Sequence, residues 1–186
     1  MTELPIQRFL LDVIEILDRL GIHYAIMGGF AVRTWGVPRP TYDADLAIAV
    51  DDQTRQRLLQ ELAAHGFDVP EEHAAGFVDT LAGMGKLKVT RFAQRSVWQI
   101  DFFLASGGLL AAALQRRRRV ALGQHQVWVV APEELILLEL IAFRRKDQLD
   151  LEEIFQIVRD LDASHLRQWA KRLDLTDRLR QFLPES

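Results

Sequence analysis

Three aspartates are the residues whose types and spacing could do chemistry. Asp43 and Asp45 are two residues apart, so on an extended strand their carboxylates leave the same face. A third acid, Asp101, stands in a later apolar stretch, where an unpartnered charge is costly. Carboxylate oxygens are the hard ligands that Mg²⁺ prefers, and three converging acids suit a two-ion site for in-line displacement at phosphorus. The pattern predicts a metal site in which these three aspartates are both metal ligands and catalytic residues.

A glycine pair upstream of the acids could bind phosphate. Gly28-Gly29 follows a β-prone stretch and precedes a short helical pattern, and backbone N–H groups at a helix start attract anions. Plainer alternatives remain open for each part of the pattern. The glycines could form a simple turn, Asp43-Ala44-Asp45 a polar turn, and Asp101 a salt bridge to Lys88 or Arg91.

Four further residues are candidates for contacting a triphosphate. Arg33, Arg39 and Thr41 lie between the glycines and the acids, and guanidinium groups match phosphate oxygens in geometry and charge. Thr41 is the better candidate of the uncharged residues because it lies just before the first acid. Lys88, on the strand next to Asp101, could also offset phosphate charge.

Composition excludes several classes of protein. The chain has 186 residues, of which 49% are hydrophobic, enough for the core of one α/β domain. It has no cysteine, which excludes a disulfide scaffold, thiolate catalysis and cysteine-based zinc sites. The first apolar stretch, residues 6–20, is interrupted by charges, and no run is long enough to cross a bilayer. We therefore expect no signal peptide, no membrane partner and a cytoplasmic location.

One dense charge run bears on nucleic-acid binding. The net charge of −3 argues against a broadly basic protein but leaves room for a local basic surface. Arg116 to Arg119 is either a solvated face or a strip that holds an RNA backbone by counterion release. No aromatic residue interrupts the run, so it predicts no base-stacking platform.

The order of the elements predicts an α/β (α+β) fold with a mixed sheet flanked by helices. We expect an α/β core over residues 1–130 and a small helical subdomain, residues 131–186, packed on it, because the composition after Ala131-Pro132 is almost wholly helical. The predicted strands cover residues 23–27, 45–50, 67–69, 77–81, 87–92, 97–104, 118–122 and 127–130. The predicted helices cover residues 6–20, 53–65, 132–143, 149–161, 164–173 and 177–182, with short helices after the glycine pairs at 28–29 and 107–108.

At these residues the chain resembles the nucleotidyltransferase superfamily. The signature of that superfamily is an apolar residue and two small residues, a gap of about ten residues, two acids around an apolar residue, and a later acid between apolar residues. Here the parts are Met27-Gly28-Gly29, Asp43-Ala44-Asp45 and Ile100-Asp101-Phe102. The resemblance implies a nucleotidyltransferase-type mixed sheet in which the three acids bind Mg²⁺ or Mn²⁺.

A narrower resemblance is to the AbiEii-type, toxin-related nucleotidyltransferases. It is carried by three stretches, residues 39–46, 131–135 and the Lys-Asp-x-x-Asp motif at 146–150. It implies that Lys146 and Asp147, and less directly Asp150, contribute to the active site. Glu139 stands where relatives often have a lysine, which changes the share of that helix in nucleotide binding.

Together the resemblances imply an enzyme that transfers an NMP unit from an NTP, with ATP binding expected, to an acceptor hydroxyl and releases pyrophosphate. The acceptor could be tRNA or other RNA, a protein side chain, or a small molecule such as an aminoglycoside or a lincosamide. The alternative is a non-catalytic module of the same fold that binds nucleotide or a protein partner, such as the antitoxin half of a toxin pair. The intact set of three acids favours the enzyme, because a relaxed site would be expected to lose at least one costly acid.

Overall fold

A seven-stranded mixed sheet forms the centre of the protein, seen in a computed structural model that describes residues 5–36, 40–41, 43–74, 78–81, 83–93 and 96–184. The strands are β1 (His23–Met27), β2 (Asp43–Ala49), β3 (Asp79–Leu81), β4 (Met84–Ala93), β5 (Ser96–Leu104), β6 (Arg118–Leu122) and β7 (His125–Val129). Their order across the sheet is β3-β4-β5-β2-β1-β7-β6. The pairs β2–β5 and β1–β7 are parallel, and the other neighbouring pairs are antiparallel.

Helices connect and flank these strands. Within the described residues they are α1 (Pro5–Arg19), α2 (Gly28–Trp35), α3 (Asp52–Ala64), α4 (Glu71–Ala74), α5 (Gly108–Arg116), α6 (Pro132–Ala142), α7 (Arg145–Ile157), α8 (Ala163–Arg172) and α9 (Thr176–Arg180). The α2 helix packs on β1 and β2 and also contacts α6 and α7. The C-terminal helices therefore lie beside the turn that joins β1 to α2.

The apolar face of the central strands fixes their register. Leu46 and Ile48 of β2, and Ile100 and Phe102 of β5, are fully buried. Side chains alternate along a strand, so these four residues lie on the face opposite Asp45 and its neighbours. A one-residue slip of either strand would exchange the apolar and acidic sets between faces, and burial of the apolar set opposes it. The core thus determines where the acids stand.

The predicted fold class is confirmed, and the bounds of β1 and β6 are those predicted. The strand predicted at 67–69 is wrong: only an isolated bridge joins Asp68 to Thr90, because Pro70 supplies no N–H to extend it. The strand predicted at 77–81 is observed as β3, while residue 77 lies outside the described residues.

The helix predicted to begin at residue 149 begins at Arg145. Its first turn is closed by Asp147, whose Oδ2 accepts a hydrogen bond of 2.7 Å from the backbone N–H of Arg144. The four-residue α4 helix had no counterpart in the sequence prediction. Among the described residues, no helix has both the length and the apolar character that a bilayer span needs.

Candidate functional site

The three predicted acids lie on neighbouring strands at one place on the sheet. The Cα of Asp45 on β2 is paired directly with that of Asp101 on the parallel strand β5, and Asp43 precedes Asp45 by two residues on the same face. Neighbouring strands are about 4.8 Å apart, and residues two apart on a strand about 6 to 7 Å. Asp43 is exposed, Asp45 is half-buried and Asp101 is buried. The sheet therefore brings the three acids together, and their exposure to solvent decreases from Asp43 through Asp45 to Asp101.

The glycine turn is in contact with the second acid. Gly28 begins α2 with a φ of +57°, a left-handed conformation that favours glycine. A Cβ added at this position would lie 3.0 Å from Cγ of Asp45 and would overlap its Oδ2. Glycine is thus required at residue 28 both for the backbone turn and for the space that the Asp45 carboxylate fills.

A cavity of about 420 Å³ opens over the acids and the glycine turn. Its lining combines the sheet with α6, α7 and the turn between them. Eight of the predicted site residues line it: Gly28, Gly29, Thr41, Asp43, Asp45, Asp101, Lys146 and Asp147. The rest of the lining is Met27, Met84, Phe103, Leu138, Glu139, Ile141, Ala142 and Arg144.

Two predicted phosphate contacts, Arg33 and Lys88, are not among these lining residues. Arg33 lies on α2 with its guanidinium carbon 5.8 Å from the centre of the Phe30 ring. Lys88 is paired with Asp101 across β4 and β5 but does not line the cavity. Arg39 lies outside the described residues. Thr41 is buried, and its hydroxyl donates to the Asp43 backbone oxygen and to Asp43 Oδ1, each at 3.1 Å.

The charges of the site act most strongly on Asp45. Burial, together with the negative charges of Asp43 and Asp101, raises the pKa of its carboxyl group to about 7. Lys146 and Lys86 act in the opposite direction. No described residue makes a hydrogen bond or an ion pair with this carboxylate, so within the described part of the chain its negative charge is offset from a greater distance, by cations that include Lys146 and Lys86.

Asp101 pairs with a lysine that the sequence prediction did not select. Lys86 Nζ lies 2.9 Å from Asp101 Oδ2, whereas Arg91 pairs with Asp12 at 2.6 Å. Lys88 is directly opposite Asp101 in the strand register, and Lys86 is its diagonal neighbour, within reach of a long side chain. The salt-bridge alternative for Asp101 is thus observed with Lys86 in place of Lys88 or Arg91, because a long side chain reaches the carboxylate from the diagonal position and Arg91 is engaged by Asp12.

The other wall of the cavity carries a buried acidic cluster. The carboxylate oxygens of Glu139, Asp147 and Asp150 lie within 4.8 Å of one another, and all three side chains are buried. Arg144 donates to Asp147 through Nε at 2.8 Å and Nη2 at 3.1 Å. Burial and the nearby Asp147 and Asp150 raise the pKa of Glu139 to about 8, so its protonated carboxyl group donates to Asp147.

The two residues of the predicted Lys-Asp pair have different surroundings: Asp147 belongs to this buried cluster, and Lys146 does not. Asp147 is fully buried and is occupied by Arg144, so it supports the start of α7. Lys146 is exposed, lines the cavity and places a positive charge near Asp45. Arg144, which also lines the cavity, was missed by the sequence prediction although it directly precedes the helix that bears the motif.

The predicted arginine strip is largely engaged within the protein. Arg116 lies 2.8 Å from Glu134 and 3.6 Å from Glu133, both buried, and Arg118 lies 3.8 Å from Glu133. The guanidinium groups of Arg117 and Arg119 lie 4.7 and 5.4 Å from the centre of the Trp128 ring. An aromatic residue thus does accompany the run, supplied by the neighbouring strand β7.

Comparison with solved structures places the fold among nucleotidyltransferases. An antigenic nucleotidyltransferase-like protein from Paracoccidioides brasiliensis superposes with a TM-score of 0.55 at 18% identity, covering 95% of this chain and 90% of that one. The lincosamide antibiotic adenylyltransferase LnuA, bound to lincomycin, gives 0.53 at 13% identity over 85% and 100% of the two chains. ANT(2")-Ia in complex with adenylyl-2"-tobramycin gives 0.51 at 15% identity over 94% and 97%.

The likeness at these identities is one of fold, and the chain has a nucleotidyltransferase-type fold. The sequence matches no protein-family model and no curated protein.

The close approach of Gly28 to Asp45 can be tested by comparing the stability of two glycine-to-alanine variants. Gly21→Ala, at a φ of +68° with open space around the added Cβ, should lower the free energy of unfolding by about 1 kcal/mol. Gly28→Ala has a similar backbone penalty and must also displace the Asp45 carboxylate, so we expect a loss of about 2 to 4 kcal/mol. Urea unfolding measures both, and equal losses would contradict the described packing of Gly28.

The buried carboxyl group of Glu139 predicts a pH-dependent stability. Because its folded-state pKa is raised from 4.5 to about 8, the folded chain keeps a proton that the unfolded chain releases. The free energy of unfolding should therefore fall by about 1.4 kcal/mol per pH unit from this group as the pH rises through that window.

Glu139→Gln keeps a donor to Asp147 and removes this titration, so its stability should fall less steeply between about pH 5.5 and pH 8. Urea unfolding at several pH values tests this. Glu152→Gln, an exposed glutamate on α7, is the control and should follow the wild-type profile. Parallel profiles for wild type and Glu139→Gln would show that Glu139 is already ionised in the folded chain.

Proposed function

We propose that the chain is a metal-dependent nucleotidyltransferase that moves an NMP unit from an NTP to an acceptor hydroxyl. The observation that carries the proposal is the meeting of Asp43, Asp45 and Asp101 with the Gly28-Gly29 turn in one cavity. Two cationic side chains, Arg144 and Lys146, line the same cavity from its helical wall. Acids for a metal and donors for phosphate thus face one space of a size suited to a small ligand.

The acids have the chemistry that Mg²⁺ or Mn²⁺ requires. They offer hard carboxylate oxygens, and the Asp45 carboxylate has no hydrogen-bond donor among the described residues. Asp43 and Asp45 would hold the ion, with Asp101 beside them. When bound, the ion would offset the charge of the phosphate oxygens around the reacting phosphorus.

The remaining residues of the cavity have separate roles. The backbone of the Gly28-Gly29 turn and the side chains of Arg144 and Lys146 bind the triphosphate. The acceptor oxygen forms a bond to the α-phosphorus while the bond from that phosphorus to the oxygen bridging to the β-phosphorus breaks. Pyrophosphate leaves with that bridging oxygen, and Asp101 takes the proton of the acceptor hydroxyl. Catalysis rests on positioning and electrostatics.

The narrower proposal is an AbiEii-type enzyme with a toxin–antitoxin protein partner. It is supported by the position of Lys146 at the start of α7 beside the acids.

ATP is the first donor to test, because two of the solved structures with this fold concern adenylyl transfer to antibiotics. The acceptor is the hydroxyl of an antibiotic-like small molecule, of RNA such as tRNA, or of a protein. The pairing of Arg116 and Arg118 with buried glutamates weakens the argument for RNA.

Nucleotide binding should depend on metal and on the first acid. ATP with Mg²⁺ should raise the melting temperature of the wild type, since a ligand at 100 times its Kd adds about 2.7 kcal/mol of stability. Asp43→Asn should lose that rise, because the ion that carries the triphosphate loses an exposed ligand. The control is Asp160→Asn, an exposed aspartate between α7 and α8. A thermal shift of the same size in Asp43→Asn and wild type would reject the assignment of Asp43.

Transfer should depend on Asp101 more strongly than binding does. In Asp101→Asn the rate of label transfer from α-labelled ATP should fall by about 10² to 10⁴, while the Mg²⁺-dependent thermal shift with ATP is kept. The assay offers total RNA, the protein itself and a panel of antibiotics as acceptors. Full activity in Asp101→Asn would contradict the proposed role, and nucleotide binding without a labelled product from any acceptor would favour the non-catalytic alternative.

A further inference from the structure

Lys86 is a cationic residue in contact with the third acid of the site, and the proposed function gives it no role. It lies on β4, and its Nζ is 2.9 Å from Asp101 Oδ2. Both side chains are largely removed from water, with 14% of Lys86 and 11% of Asp101 exposed. The second oxygen of Asp101 accepts a hydrogen bond of 3.1 Å from Gln99 Nε2. Both oxygens of the third acid are therefore already engaged by donors of the protein.

This arrangement opposes a second metal ion at Asp101. A carboxylate oxygen that accepts a charge-assisted hydrogen bond has only its remaining lone pair for an ion, and that ion would have to bind beside the ammonium group. A divalent ion placed there would also be repelled by the ammonium group, in a site where low exposure to water strengthens the repulsion. The positive charge of Lys86 also reaches Asp45, where it lowers the pKa of the carboxyl group.

We propose that Lys86 takes the place of the second metal ion, so that the chain binds a single divalent cation at Asp43 and Asp45. Lys86 is then a positioning residue that orients Asp101 toward the acceptor hydroxyl. This inference rests on the proposed function and makes it more specific.

Lys88 provides a matched control on the same strand. It carries the same charge, lies two residues from Lys86 on the same face of β4 and is paired in register with Asp101. Among the described residues, however, Lys86 and not Lys88 forms the ion pair with Asp101. A general effect of removing positive charge from this strand would appear equally in Lys86→Met and Lys88→Met. An effect that depends on the contact with Asp101 would appear only in the first.

The test counts the Mn²⁺ ions bound per chain in the presence of α,β-methylene-ATP, by electron paramagnetic resonance titration of the full chain. We expect one ion in the wild type, in Lys86→Arg and in Lys88→Met. In Lys86→Met, where Asp101 loses its cation, we expect two. The wild-type count alone keeps the test decisive if Lys86→Met does not fold, which circular dichroism would reveal.

Two ions in the wild type, or one ion in folded Lys86→Met, would overturn the inference and leave the proposed function standing. If the wild type bound no Mn²⁺ with the nucleotide analogue, the proposed function would fail, and the role of Lys86 would fail with it.

Discussion

The crowding of negative charge on two central strands of the sheet is the constraint on which the site depends. Asp45 and Asp101 are neighbours across β2 and β5, and the opposite face of both strands is fully buried hydrocarbon. The apolar face holds the register, so the strands cannot move apart to relieve the repulsion between the acids. The protein therefore has to compensate the charge where it stands.

That compensation differs from acid to acid. Asp101 has a half-buried lysine and an amide, while Asp43 has the hydroxyl of Thr41. Among the residues that the structure describes, Asp45 has the backbone of the glycine turn close to it and cations at a greater distance. A carboxylate placed this way has the largest gain in free energy from an external cation, because its negative charge is the least offset by neighbouring groups. The metal-binding role proposed for Asp45 follows from this difference.

Local signals in the sequence were sufficient for the fold class and for much of the cavity. The bounds of β1 were predictable because a short β-prone run ends at two glycines, and the spacing of the acids implied a common face. The partner of Asp101 was not predictable, since Lys86 and Lys88 lie on the same face and only the diagonal geometry of the paired strands distinguishes them. The pairing of Arg116 with Glu134 likewise depends on contacts distant in sequence.

On the helical wall of the cavity, the buried acidic cluster holds in place the backbone of an exposed residue, Lys146. Asp147 binds both the backbone and the side chain of Arg144, which fixes the first turn of α7. Glu139 stays neutral beside it and so adds no further buried charge to those of Asp147 and Asp150. Lys146 lies between these anchored positions, and its backbone is held by the same turn while its side chain remains exposed to the cavity. The backbone of Lys146 is already ordered while its ammonium group remains exposed, so Lys146 can bind a triphosphate with little further loss of backbone entropy. This is the advantage of fixing the helix start with buried acids.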